Sequence, residues 1–160
     1  PPKDWPALKV LHSNWQLLAP KNFEIVSVRP RIIISREEQK KRFTPLEVKV
    51  LFKEGTENPY SSPYNDETRP GIYTCRACSL PLFSSEMKYD SNTGWPSFFT
   101  SIPGHISKKA DYKLIWPRIE YHCSKCGTHQ GHVFNDGPAP THERWCNIGV
   151  CLTFLAKNPI

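Results

Sequence analysis

No apolar run in this sequence approaches the roughly 20 residues that a membrane-crossing helix needs, so no bilayer span is expected. No stretch passes from basic to apolar to small residues as a secretory signal does, which removes the reason to expect an oxidising compartment. No internal repeat occurs beyond one pair of Cys-x-x-Cys elements. Disorder lacks support as well, because leucine, isoleucine, valine and aromatics are plentiful. A basic excess is missing from most of the chain despite its formal charge of +6. Residues 1–42 hold nine Lys/Arg against four Asp/Glu, a balance of +5, whereas residues 43–160 hold twelve against eleven, a balance of +1. A nucleic-acid surface is therefore not expected of the larger part, and stays open for the first 42 residues.

At 160 residues the chain fits one domain with an extension and is long enough for a core. DWPALKVLHSNWQLLAP reads as an amphipathic helix, with Asp4 as cap, Pro6 in the first turn, Leu8, Leu11, Trp15 and Leu18 at helical spacing, and Pro20 as the stop. FEIVSV (23–28) and RIIIS (31–35) have the β-branched content of two short strands around Arg29-Pro30. Ser35–Glu38 and Thr44–Glu47 each resemble a capping box opening a short helix, the second stopping at Gly55. Beyond Gly55, short runs such as GIYTC, LIWPRIEYHC, GHVF and WCNIGVCLTFL alternate with turns, which predicts a mainly β core with a few short helices before it.

Cys75-Arg76-Ala77-Cys78 and Cys123-Ser124-Lys125-Cys126 have metal spacing. Two residues between thiols let a tight turn aim both sulfurs at one ion, and two such turns complete a tetrahedron. Two disulfides, or a redox Cys-x-x-Cys, are the competing readings. With four protein ligands a single Zn2+ would have no open position, so it would staple the fold and do no chemistry.

Cys146 and Cys151 remain. His129, His132, Asp136, Arg144 and Cys146 fall within 18 residues. A thiol becomes a nucleophile when an adjacent cation lowers its pKa, and in a strand Arg144 and Cys146, two apart, face one side while Trp145 faces the other. His129 and His132 are candidate proton donors, and Asp136 an orienting group. Each histidine alone would be read as an ordinary satisfied residue; their density favours a site. Cys151, five residues on, would face the opposite side of one strand and is expected as a packed core thiol. In TGWPSFF (93–99), Trp95 is either a core aromatic or an apolar wall for a small group such as a methyl.

GTENPY, GIYTCRACSLPLFSSEMKYDSNTGWPSFF, the second Cys-x-x-Cys, GTHQGHVFNDGPAPT and RWC, in this order, closely resemble the methionine-R-sulfoxide reductase B family, the SelR domain. The resemblance runs from about Phe43 to Leu155 and implies two antiparallel sheets in a barrel-like, tent-shaped core stapled by structural zinc. Residues 43–160 would form that domain and 1–42 an extension. It implies reduction of methionine-R-sulfoxide, free or in proteins. Cys146 would attack the sulfoxide sulfur and become a sulfenic acid, Trp95 and Phe98 would contact substrate, and His129 and His132 would bind and protonate its oxygen. Asp136 and Arg144 would organise the site, with Arg144 favouring the thiolate.

Three positions depart from the pattern. Thr93 stands where many members carry a resolving cysteine, so the sulfenic acid would be reduced by an outside thiol such as thioredoxin. Asn147 follows the cysteine by one residue rather than two, with Ile148 in the usual place; a substrate contact is assigned to Asn147, although the shift would turn its amide to the other face. His142-Glu143 replaces the usual small residue. The alternative reading is a structural or interaction subunit whose basic extension docks on an assembly partner or RNA. Such an extension is compatible with import into a mitochondrion or other organelle; otherwise an intracellular, cytoplasmic location is expected.

Overall fold

The structure, a computed structural model, describes residues 5–159, so the Asp4 cap lies outside the described residues. Helix α1 (Trp5–Asn14) tightens into a 3₁₀ turn over Trp15–Leu18 and stops before Pro20. Of its expected inward stripe, Trp15 is buried edge-on to His105 at 5.7 Å and Leu11 packs on the core, while Leu8 and Leu18 are half-buried.

The two strands expected over 23–28 and 31–35 are absent; both stretches are extended but unpaired along their length. Proline in the middle of the run withholds an N–H and breaks any ladder. One backbone bond, from Ile32 N–H to the Lys125 carbonyl (2.8 Å), ties the segment to the body, and Lys125 Nζ donates to the carbonyls of Ser27 (2.9 Å) and Pro30 (2.8 Å). Val26, Val28 and Ile34 pack on the domain core while Ile33 is exposed, so side-chain burial rather than sheet pairing holds the segment.

Helix α2 (Arg36–Arg42) has Ser35 as its cap, accepting from Glu38 N–H. The reciprocal half of the expected box is not made, because Glu38 turns to Arg42 one turn on (3.3 Å). Helix α3 (Pro45–Phe52) carries the full Thr44–Glu47 box. It ends before Gly55; the left-handed residue there is Glu54 (φ 54°), while Gly55 N–H closes on the Lys49 carbonyl.

The strands are β1 (Gly71–Cys75), β2 (Pro81–Ser84), β3 (Lys88–Tyr89), β4 (Ser97–Phe98), β5 (Ile106–Asp111), β6 (Arg118–Cys123), β7 (His129–Phe134), β8 (Arg144–Asn147) and β9 (Leu152–Ala156). They form two antiparallel sheets, ordered β2-β1-β9 and β3-β4-β8-β7-β6-β5. The outer strand β5 carries exposed Lys108 and Lys109, charges that discourage edge-to-edge association. Between the sheets Phe83 stacks on Phe98 at 3.9 Å, and Tyr73, Tyr121 and Trp145 close the core around them.

One irregularity positions the site. On β6 and β7, Tyr121 opposes Gly131 but His122 opposes His129, leaving Gln130 as the extra residue of a bulge.

Candidate active site

The two Cys-x-x-Cys turns are built alike. Ser79 N–H returns to the Cys75 carbonyl and Gly127 N–H to the Cys123 carbonyl, and both turning residues have positive φ (67° and 74°). The four sulfurs converge, with Cys75–Cys126 at 3.6 Å and Cys78–Cys123 at 3.5 Å. A zinc–sulfur tetrahedron with ~2.3 Å bonds has edges of about 3.8 Å, so the donor set fits zinc. Cys75 ends β1 of the small sheet and Cys123 ends β6 of the large one, so an ion held there would join the sheets. All six cysteines are free thiols, which removes the disulfide reading.

Away from that staple, a cavity of about 520 Å³ is lined by Thr93, Trp95, His129, His132, Arg144 and Cys146 among others. The strand register accounts for this grouping. Cys146 lies between Ser97 of β4 and His132 of β7, and Arg144 lies opposite Phe134. Arg144 and Cys146 share one face while Trp145 is buried on the other, as period-2 alternation predicts. His129 and His132 are three apart and would face opposite ways in a regular strand. The bulge at Gln130 turns both imidazoles to the cavity, with ring centroids 5.6 Å apart, and sends the Gln130 amide inward to Cys75 Sγ at 3.5 Å.

Asp136 does not line the cavity. It is exposed and grips Arg144 with both oxygens (2.8 and 3.2 Å), holding the guanidinium over Phe134 at 4.2 Å. Two expected substrate contacts are corrected. Phe98 pairs with Trp145 and is fully buried against Phe83, so alternation puts it in the core. Asn147 is likewise fully buried: its Oδ1 accepts from Tyr121 OH (2.7 Å) and its Nδ2 donates to Gln130 Oε1 (3.3 Å) and the Ile148 carbonyl (3.0 Å). Ile148 lines the cavity instead. His142 is exposed, and Glu143 pairs with Lys108 at 3.8 Å.

Cys151 is a fully buried core thiol, but not for the expected reason. β8 ends at Asn147 and a 3₁₀ turn (Gly149–Cys151) intervenes, so the two cysteines do not share a strand; Cys151 packs with Val50, Leu51 and Ile148. Buried Glu57 accepts from Gly149 N–H (2.9 Å) and Val150 N–H (2.8 Å) and pins this turn.

Residues that pattern reading missed support the histidines. Asp111 Oδ2 meets His132 Nε2 at 2.9 Å and Arg118 Nη2 at 3.1 Å. Lys113 N–H first, and His132 next, hold Asp111 down to a pKa of about 2. Burial lowers His132, and pushes His129 down to about 4, which keeps the His129 imidazole neutral near pH 7. Glu120, also buried, lies behind His129. Its one sequence signal was its place two residues before His122 on a strand ending at a metal cysteine.

Arg144 pulls Cys146 toward the thiolate as expected, but burial outweighs it. Burial pushes its pKa up to about 11; Arg144 pulls it down, but Glu57 and Asp136 oppose that pull. At such a pKa the thiol form is favoured near pH 7.

The SelR domain family matches residues 43–156. The chain is 48% identical over 124 residues to peptide methionine sulfoxide reductase MsrB of Methanosarcina barkeri, covering 77% of this chain and 87% of that one. It is 42% identical to mouse methionine-R-sulfoxide reductase B3, mitochondrial, covering 78% of this chain and 49% of that one. It is 41% identical to peptide methionine sulfoxide reductase B1, chloroplastic, of Arabidopsis thaliana, covering 77% of this chain and 61% of that one.

Proposed function

The chain belongs to the SelR domain family, and from that membership we propose how its cleft reduces methionine-R-sulfoxide to methionine. The observation that supports the reading is the convergence of Cys146, both histidines and the Trp95 indole on one cavity with room for a methionine side chain and adjoining backbone. The indole receives the sulfoxide's methyl group, and the imidazoles face its oxygen.

Asp111, ionised, accepts a hydrogen bond from Nε2–H of His132, which leaves Nδ1 of that ring as its basic nitrogen. His132 stands opposite Cys146 across the β7–β8 pair, so it receives the thiol proton and returns it to the sulfoxide oxygen. The Cys146 sulfur attacks the sulfoxide sulfur, the S–O bond of the substrate breaks, and oxygen passes to cysteine. Thiol and sulfoxide thus become sulfenic acid and thioether, with no net proton or electron left over. Arg144 stabilises the negative charge on sulfur during attack.

The sulfenic acid is reduced by an outside dithiol, a thioredoxin-like donor, giving a donor disulfide and water. Thr93 fills the cavity wall where a cysteine would be needed, and Cys151 is sealed under α3. Zinc, joining the sheets through Cys75, Cys78, Cys123 and Cys126, supplies fold stability and no step of the reaction. We place the reaction in an intracellular, thiol-reducing compartment, where four unpaired zinc ligands persist. The extension's apolar residues pack in cis on the core, which favours the enzyme over the docking-subunit reading.

The test is turnover of the R and S sulfoxides of a blocked methionine with a dithiol donor. R-specific turnover, abolished in Cys146→Ser, is expected; turnover of S alone, or of neither, would refute the proposal.

A further inference from the structure

One imidazole of the cleft, His129, also belongs to a second group of metal-type donors whose other members the reduction does not require. Glu120 and His122 project from one face of β6, two residues apart, and the bulge brings His129 opposite His122. One donor atom from each of the three lies within 4.8 Å of the others. Glu120 is 1% exposed and His129 3%. Yet Glu120 Oε2 and His129 Nδ1, facing each other at 3.8 Å, each lack a hydrogen-bond partner. Buried polar atoms left unpaired are costly, so such a pair calls for a ligand. On the open side, His122 Nε2 lies 3.8 Å from Glu54 Oε1, which sits on the cavity wall.

We propose that Glu120, His122 and His129, completed by Glu54, form a second cation site that takes Zn2+ or a similar divalent d-block ion at the edge of the cleft, and that its occupation switches the reductase off. Two imidazoles and two carboxylate oxygens are a borderline donor set suited to such ions in tetrahedral geometry. With bonds of 2.0–2.1 Å the tetrahedron has edges of about 3.3 Å, so inward shifts of under about 1 Å bring the Glu120, His122 and His129 donors into place, while the Glu54 side chain has to swing toward them from beside His122. Lys109 holds Glu120 Oε1 at 3.2 Å, leaving Oε2 for the ion and acting as a partner behind the ligand. Lys109 and Lys113 also engage Glu54, and this competition makes the site weaker and more readily emptied than the four-cysteine staple.

The neighbouring trio of Asp111, Glu120 and His132 is different in kind. Asp111 is already satisfied by His132, Arg118 and Lys113 N–H, so nothing there is left for an ion. The binding half of the proposal stands on this geometry alone. The inhibitory half rests on the reductase reading, because an ion on His129 withdraws an imidazole from the substrate oxygen.

The experiment titrates the full chain, purified with one zinc per chain, with zinc chloride by isothermal calorimetry. A second equivalent per chain is expected, with the imidazole NMR signals of His122 and His129 shifting as it binds. His122→Gln should weaken it about tenfold or more while the first zinc, measured by elemental analysis, and basal turnover persist. Glu54→Gln should weaken it in the same direction, and decides the matter if His122→Gln fails to retain the first zinc. Turnover of the native chain should fall over the range in which the second ion binds. No second equivalent into the millimolar range, or one unaffected by the decisive variant, would overturn the site. Binding with turnover unchanged would overturn the switch. A second ion on a chain without reductase activity would leave the site standing and sink the reductase reading.

Discussion

Cys146 sets a guanidinium against burial, and the contest can be read by alkylation. Burial is the largest influence and places the thiol at about 11, with Arg144 lowering it and Glu57 raising it. Near pH 7 the thiolate is then about one part in ten thousand, and each unit of pH toward 11 raises that share about tenfold. Native zinc-loaded protein treated with iodoacetamide from about pH 6.5 to about pH 9.5, with the Cys146 peptide followed by mass spectrometry, should show a logarithmic rate climbing with a slope near 1 and no plateau. The other thiols do not confuse the measurement, since four are committed to the metal site and Cys151 is fully buried. Arg144→Gln should slow alkylation at every pH, because the guanidinium is the neighbour that lowers this pKa. The sign for stability follows. A group whose pKa is raised by folding keeps its proton longer in the fold, so the unfolded chain gains ground as pH rises past about 9. A rate already flat between about pH 7 and about pH 9 would mean a resting thiolate and refute the reasoning.

Stripping zinc with a chelator should unfold the chain near room temperature: a structural zinc contributes on the order of 10 kcal/mol, comparable with the whole stability of a small domain. An apo protein whose circular-dichroism melt matched the zinc form would contradict the sheet-joining role. Asn147→Ala leaves the buried Tyr121 hydroxyl without its 2.7 Å acceptor and should cost about 2–4 kcal/mol in urea unfolding with KM changed less than about twofold. A large rise in KM at unchanged stability would restore Asn147 to the substrate. A Cβ at Gly131 would stand 1.9 Å from the Cys146 carbonyl oxygen, so Gly131→Ala must pry β7 from β8 at Cys146. A loss of about 3 kcal/mol with turnover falling alongside is expected, and a variant of native stability and rate would be incompatible with this register.

Much of the site was legible from spacing. Two residues between cysteines suffice to aim thiols at one ion, and a separation of two positions from Arg144 to Cys146 suffices to put them on one face of a strand. The same alternation, applied strictly, would have moved Phe98 and Asn147 into the core, where they are. The strands expected at 23–28 and 31–35 show the limit of composition, because β-branched residues give a stiff extended chain but cannot supply a partner.

Local periodicity and turn geometry are properties of neighbouring residues, and so the amino-acid order alone determined the zinc knuckles, the Thr44 helix cap, the mainly β class and the Arg144–Cys146 pair. The tertiary structure decided what depends on chain segments far apart. The bulge at Gln130 turned His129 and His132 to one side, strand pairing brought Asp111 and Glu120 behind them, and burial outweighed the guanidinium at Cys146. Desolvation and cross-strand register are set by what packs against a residue, and no local pattern carries that information.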